Sequence, residues 1–190
     1  MKLRQNRDIT NLPNTLTFIR MGCIPLVVFF LYFPGKLFGF LAGLFFALAF
    51  VTDILDGHFA RKYGSVTALG KLMDPLADKL LVLCTMIMLI SLGRIPEWVV
   101  MVILARELAV TGLRSIAAAE GVIIQSIGLG KYKTILQCVA LVGLCVHYTY
   151  FGFDFHAVGM LVLWAALIVT LWSGFVYFQR FKKLLFEKDQ

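Results

Sequence analysis

The sequence predicts an all-α integral membrane protein built from six transmembrane helices. The chain of 190 residues is 60% hydrophobic with a mean hydropathy of +0.86, whereas soluble domains average roughly 45–50% apolar residues. Residues 21–52 carry a single charge, Lys36. Because a bilayer needs only about 20 apolar residues per helix, this run predicts the end of one span and most of the next, with a turn between Phe33 and Lys36.

Segments containing Gly and Pro separate the six predicted helices. The helices span residues 14–33, 37–62, 70–93, 96–120, 129–151 and 155–182. The breaks are Pro34-Gly35, Tyr63 to Ser65, Gly93 to Pro96, Gly121 to Gly130 and Gly152 to Asp154.

We predict a single membrane domain over residues 1–190. Residues 1–13 form a juxtamembrane segment, residues 14–182 the six-helix bundle and residues 183–190 a cytosolic tail. In the first segment, apolar residues such as Leu3 and Ile9 alternate with charged ones. This pattern fits a short helix lying on the membrane surface, and a disordered tail is the open alternative.

The distribution of Lys and Arg predicts the orientation in the membrane. With the N-terminus in the cytosol, thirteen Lys and Arg residues fall in cytosolic loops and helix ends, and only Lys36 and Arg94 fall on the other side. A cytoplasmic excess of positive charge sets topology. We therefore predict a multi-pass protein of a bacterial-type cytoplasmic membrane.

Composition also excludes two other classes of protein. The net charge is +7, but the basic residues gather at the ends of apolar spans, so we expect no nucleic acid partner. The four cysteines lie in apolar segments without CxxC spacing, which argues against a disulfide framework or a zinc site.

Four aspartates lie within one 26-residue window of this apolar chain: Asp53, Asp56, Asp74 and Asp78. An ionised carboxylate in a membrane costs at least roughly 2.5 kcal/mol unless a cation, water or a partner compensates it. On helices, the i,i+3 and i,i+4 spacings place each pair on one face. Two such pairs form an all-oxygen site for two divalent cations, Mg²⁺ or Mn²⁺. By topology, this site opens toward the cytosol.

Two interpretations without a metal stay open for parts of this segment. Asp74 followed by Pro75 is also typical of a helix start, with Asp74 as N-cap. Arg61 and Lys79 could pair with the carboxylates as internal salt bridges, although two cations balance four acids less well than two metal ions do.

The spacing of these residues resembles the signature of the CDP-alcohol phosphotransferase family of membrane enzymes. Eight positions match: Asp53, Asp56, Gly57, Ala60, Arg61, Gly70, Asp74 and Asp78. The resemblance implies transfer of a phosphatidyl group from CDP-diacylglycerol to an alcohol, with release of CMP by direct displacement. It implies that the four aspartates are metal ligands and that Asp78 is also the base that takes the acceptor's proton. Gly57, Ala60, Arg61 and Gly70 would bind CDP-diacylglycerol.

A group of basic residues predicts an acceptor that carries its own phosphate. Arg106 and Arg114 lie near the end of the fourth helix, eight residues apart, and Lys131 and Lys133 begin the fifth. A helix N-terminus adds to such an anion site. The alternative is that Arg114, Lys131 and Lys133 only set topology and that Arg106 pairs with Glu107.

Longer strings around these residues resemble the phosphatidylglycerophosphate synthase branch of the family. They are Arg106-Glu107-Leu-Ala-Val-Thr111-Gly112-Leu113-Arg114, then Gly130-Lys131-Tyr132-Lys133-Thr134, and the opening with Asn14, Thr15 and Arg20. The resemblance implies glycerol 3-phosphate as acceptor. Asn14, Thr15 and Arg20 are candidate head-group contacts, and an Asn-Thr pair is also a common helix cap.

Two alternatives remain for function. The acceptor could instead be inositol phosphate, phosphatidylglycerol or serine. A cation carrier would also use carboxylates in the membrane, but a carrier is expected to show an internal repeat, and we find none. Glycine-rich and aromatic helix faces further suggest a homodimer.

Overall fold

A computed structural model describes the backbone of residues 12–63, 68–119 and 128–188, and the side chains of residues 17–52, 76–119 and 130–182. The elements are α1 Leu12–Tyr32, α2 Lys36–Tyr63, α3 Ala68–Ser91, α4 Glu97–Ala119, α5 Gly128–Val146, β1 Thr149–Tyr150, β2 Phe153–Asp154 and α6 Phe155–Lys188. Over these residues the all-α class is confirmed, apart from the short pairing of β1 with β2. Residues 1–11 of the predicted surface segment lie outside the described residues.

All six helices begin within two residues of the predicted starts, but two of them end elsewhere. The prediction that the fifth helix continues to residue 151 was wrong, because α5 stops at Val146. His147 has a φ of 59°, and a left-handed residue cannot continue a right-handed helix. Conversely, α6 continues to Lys188, into the segment that we predicted as a tail.

One described helical stretch, Phe155–Lys182, is long and apolar enough to cross a membrane. Thr17–Tyr32 and Lys36–Thr52 are shorter apolar helical stretches. These stretches are those found among the residues whose side chains are described. Six membrane spans therefore stay a prediction.

The chain divides into two compact units, Met1–Met88 and Leu89–Gln190. In the first unit α1 packs against α2 across a turn at Gly35, whose φ of 134° lies in the region that favours glycine. Phe30 of α1 stacks on Phe45 of α2 with ring centroids 5.3 Å apart. Val27 and Phe46 are fully buried, so this helix pair has an aromatic and aliphatic core.

In the second unit α5 and α6 approach each other closely at two glycines. A Cβ atom on Gly143 would lie 3.0 Å from the Cα of Gly159, and one on Gly159 would lie 2.9 Å from the backbone nitrogen of Leu144. Small residues allow such backbone approach in membrane helices. α4 also packs on α6, where Trp98 and Trp164 have ring centroids 5.4 Å apart.

The connection from α5 to α6 is held by Arg94 and a tight hairpin. Arg94 donates from Nη1 to the carbonyls of Leu144 and Cys145, at 3.2 and 2.9 Å, which satisfies the free carbonyl end of α5. The hairpin turns at Phe151 and Gly152, both with positive φ, as a two-residue type I′ turn requires.

Asp154 caps the start of α6. Its Oδ1 accepts hydrogen bonds from the backbone nitrogens of His156 and Ala157, at 3.0 and 3.1 Å. An aspartate at this position stabilises a helix because it satisfies amide groups that have no partner within the helix.

Candidate functional site

The four aspartates lie on two helices of the first unit, as the sequence predicts. Asp53 and Asp56 are one turn apart near the C-terminal end of α2, and Asp74 and Asp78 are one turn apart in the first half of α3. Of these side chains the structure describes only Asp78. Those of Asp53, Asp56 and Asp74, with the four other signature residues Gly57, Ala60, Arg61 and Gly70, lie outside the described residues.

The backbone of α3 decides one of the alternatives left open by the sequence. α3 begins at Ala68, so Asp74 lies six residues inside the helix. The interpretation of Asp74 as an N-cap with Pro75 in the first turn was therefore wrong. Proline inside a helix removes a hydrogen bond, so Pro75 is placed where it does not favour the helix.

Asp78 accepts a short hydrogen bond from Arg20 of α1. Arg20 Nη1 lies 2.6 Å from Asp78 Oδ1, a length typical of strong charge-assisted pairs. The Arg20 side chain is 0% exposed, whereas that of Asp78 is 41% exposed. A buried guanidinium requires an anionic partner, and the partly exposed Asp78 meets this requirement.

The second unit contains a polar cluster that joins two of the predicted acceptor residues through Glu107. Glu107 Oε1 pairs with Arg106 Nη1 at 3.1 Å and also with Lys133 Nζ. The side chains of Arg106 and Lys133 are only 9% and 7% exposed. The pairing of Arg106 with Glu107, which the sequence left open as the alternative to phosphate binding, is present. We call Arg106, Glu107, Lys133 and Ser173 the Glu107 cluster.

The contribution of α6 to this cluster was missed from the sequence. Arg106 Nη2 donates to Ser173 Oγ at 2.8 Å, and Ser173 in turn donates to the carbonyl of Thr170. The Arg106 guanidinium lies 5.8 Å from the ring centroid of Tyr177, within cation–π range. Gly174 leaves room for this side chain, since a Cβ there would lie 3.1 Å from Arg106 Cγ. In the sequence, the adjacent Ser173 and Gly174 in an otherwise apolar helix are the feature that could have indicated this contact.

The other predicted binding residues take different positions. Arg114 on α4 and Lys131 on α5 have exposed side chains, in contrast to Arg106 and Lys133. Asn14 and Thr15 belong to the first turn of α1, and their side chains lie outside the described part of the chain. Within the described side chains, no three His, Cys, Asp or Glu residues come together as a metal site.

Comparison with known proteins identifies the family. The family model described as CDP-alcohol phosphatidyltransferase matches residues 10–172. The chain belongs to this family. The matched segment contains the aspartate helices and, of the Glu107 cluster, Arg106, Glu107 and Lys133; Ser173 follows its last residue. The family is generally dependent on divalent metal ions, and the match together with the long apolar α6 indicates a membrane protein.

Individual members of the family are similar to the chain over most of its length. A CDP-diacylglycerol–glycerol-3-phosphate 3-phosphatidyltransferase of Rickettsia bellii is 41% identical over 91% of this chain and 96% of its own. The Bacillus subtilis protein of the same name is 40% identical over 90% of this chain and 94% of its own length. A probable phosphatidylglycerophosphate synthase of Mycobacterium tuberculosis is 39% identical over 90% of this chain and 82% of its own length.

Proposed function

We propose that this protein transfers the phosphatidyl group of CDP-diacylglycerol to glycerol 3-phosphate, giving phosphatidylglycerol phosphate and CMP. The observation that carries the proposal is the similarity, at about 40% identity over nine-tenths of the chain, to transferases named for this reaction. The residues that we assign to each part of the reaction are proposals from the sequence and from the geometry of each unit.

The residues on α2 and α3 fit a pair of divalent cations. Asp53, Asp56, Asp74 and Asp78 offer carboxylate oxygens alone, which suit Mg²⁺ or Mn²⁺ rather than a softer metal. The partial exposure of Asp78 leaves its carboxylate accessible to an ion. When bound, two such ions neutralise the phosphate charge and steady the attacking and leaving oxygens of a displacement.

Asp78 is the proposed general base. It takes the proton of the acceptor hydroxyl, whose oxygen forms a bond to the phosphorus that carries diacylglycerol. The bond from that phosphorus to the bridging oxygen breaks, and the electron pair leaves with CMP. This direct displacement needs no covalent enzyme intermediate.

The Glu107 cluster is the proposed site for the acceptor phosphate. Arg106 and Lys133 share one carboxylate, so the cluster keeps an excess positive charge toward a phosphate dianion. The fork of Arg106 donors can bind a pair of phosphate oxygens. Arg114 and Lys131, which are exposed, add positive charge that attracts the anion.

The remaining signature residues belong to the donor. We assign Gly57, Ala60, Arg61 and Gly70 to CDP-diacylglycerol, because small residues let a ligand approach the backbone and Arg61 suits a phosphate. Asn14 and Thr15 are proposed head-group contacts. The guanidinium of Arg20 donates a hydrogen bond to Asp78. Direct contact of Arg20 with a head group stays a prediction.

The proposed membrane arrangement follows from hydropathy and charge. Six helices cross the membrane within one domain, both ends lie in the cytosol, and the aspartates open to that side. The proposal includes a homodimer surrounded by membrane lipids. Its basis is the thirteen-to-two distribution of Lys and Arg and the apolar stretches of α1, α2 and α6.

The test is an acceptor assay on the purified protein in detergent. Radiolabelled glycerol 3-phosphate, inositol phosphate, phosphatidylglycerol and serine are each offered with CDP-diacylglycerol, with and without EDTA. We expect glycerol 3-phosphate alone to give a new labelled lipid, distinct from the acceptor offered, and an equal amount of CMP. We expect excess Mg²⁺ or Mn²⁺ to restore activity after EDTA.

The variant Asp78→Asn serves as the inactive control that still binds the donor. Labelled lipid from a different acceptor would refute the acceptor assignment and leave the reaction class in place. Absence of CMP release with every acceptor would refute the reaction class itself.

A further inference from the structure

The ion pair between Arg20 and Asp78 joins residues that are 58 positions apart in the chain. One partner is completely buried on α1 and the other is partly exposed on α3. The pair therefore links one particular aspartate of the four to a fully buried side chain of another helix. The signature of the family, from Asp53 to Asp78, does not include Arg20.

We infer that Arg20 is a positioning residue that holds the Asp78 carboxylate in the orientation needed to accept the acceptor's proton and to bind a cation. This inference rests on the proposed function, because Asp78 acts as base and ligand only in that reaction. It assigns to Arg20 a role that acts through Asp78 and that requires no contact with either substrate.

The geometry supports positioning rather than simple neutralisation. A partly exposed aspartate that lacks a fixed partner is free to change rotamer. A hydrogen bond of 2.6 Å to Oδ1 from a fully buried guanidinium restricts this freedom. Because a carboxylate offers two oxygens and about four lone-pair sites, the bond leaves Asp78 with further capacity to accept a proton or a cation.

The packing of α1 explains why Arg20 is a fixed point. Cys23 and Val27, three and seven residues further along the same helix, are also buried, so Arg20 lies on the packed face of α1. Partners that hold metal-ligating groups in place typically account for about 10–100-fold in metal affinity or activity. We expect an effect of this size when the contact is altered.

The decisive variant is Arg20→Lys, which retains the positive charge and removes the planar fork and part of the reach. Because the formal charge is retained, a change in net charge cannot account for an effect on cation binding. We expect kcat to fall about 10–100-fold, with the KM values for both substrates within about threefold of wild type.

A second readout is independent of turnover. Mn²⁺ binding to the purified protein, followed by electron paramagnetic resonance, is expected to be weaker in Arg20→Lys than in wild type by about tenfold or more. Wild-type Mn²⁺ affinity together with wild-type kcat in this variant would overturn the inference.

The matched control is Val27→Ala, which removes side-chain volume from an equally buried position on the same face of α1. It should lower thermal stability without changing kcat or Mn²⁺ affinity. If Arg20→Lys behaves in the same way, its role is structural only and the inference is refuted.

A further variant covers the case in which Arg20→Lys does not fold. Arg20→Gln removes the buried charge and keeps an N–H donor, so it needs no counter-ion, and the same loss of kcat is expected. Retained kcat in Arg20→Gln would also overturn the inference. If the wild-type protein itself releases no CMP, the proposed function fails, whereas an active wild type with fully active Arg20 variants refutes only the positioning role.

Discussion

Glu107 is the shared counter-ion of two buried cations, so replacing it with Gln tests the organisation of the Glu107 cluster. The substitution removes the Glu107 carboxylate from Arg106 and Lys133, whose side chains are only 9% and 7% exposed. Removing one partner of a buried ion pair costs about 3–5 kcal/mol. Because the Glu107 side chain is 28% exposed, water reaches it and the lower figure of about 3 kcal/mol applies.

For a chain of this length, a loss of about 3 kcal/mol corresponds to a Tm lower by roughly 6–12 °C. Thermal unfolding of the purified variant in detergent measures this shift. We also expect a higher KM for glycerol 3-phosphate, because the two cations that bind its phosphate are no longer held in place. The control Glu97→Gln changes the same charge at an exposed position of the same helix and should shift Tm far less.

The double variant Glu107→Gln with Lys133→Met separates the ion pair from general damage. It removes one of the two buried cations that lose the Glu107 carboxylate, so part of the lost Tm should return. An unchanged Tm in Glu107→Gln, or a double variant that is no more stable than Glu107→Gln alone, would refute the assigned pairing.

Two further predictions concern the second unit. Gly159→Ala should lower the free energy of unfolding by about 1–3 kcal/mol, because its Cβ would lie 2.9 Å from the backbone of Leu144. The control Gly22→Ala on α1, whose Cβ would meet no described atom within 4 Å beyond its chain neighbours and the nearby backbone of its own helix, should not lower it. Equal Tm values for the two variants would contradict the close packing. Burial, then Arg94 and His156, lower the pKa of His147, and Asp154 opposes them. The neutral form of His147 is therefore favoured on folding, so its contribution to stability is complete above about pH 6.5 and is lost as pH falls through the lowered pKa. His147→Gln should flatten the dependence of Tm on pH between 7 and 5. An equal slope in the variant and in the wild type would exclude His147 as the source of this dependence.

The sequence predicted the helices well because each apolar run is bounded by Gly, Pro or charged residues. It failed at the end of α5, where the apolar and aromatic run continues beyond Val146. The helix stops there because His147 adopts a left-handed backbone and Arg94, about fifty residues earlier, binds the terminal carbonyls. A contact between such distant residues leaves no local pattern in the sequence.

The same reasoning explains what could be predicted of the candidate site. The aspartates were found because charge in an apolar chain and helical spacing are local properties. The bond from Arg20 to Asp78 and the contact of Ser173 with Arg106 depend on the packing of separate helices. The interpretation of Asp74 as an N-cap failed because α3 begins at Ala68 and contains Pro75 in its interior. The general preference of proline for the first turn of a helix does not predict this position.

The central claim is that the aspartates of α2 and α3 hold divalent cations that support transfer to glycerol 3-phosphate. The most direct measurement returns Mn²⁺ stepwise to chelated protein while bound Mn²⁺ and CMP release are followed in the same sample. The account predicts no release without metal, a rise that parallels occupancy up to two ions per chain, and no release from Asp78→Asn at any occupancy. Full CMP release from chelated protein, or from Asp78→Asn, would contradict it.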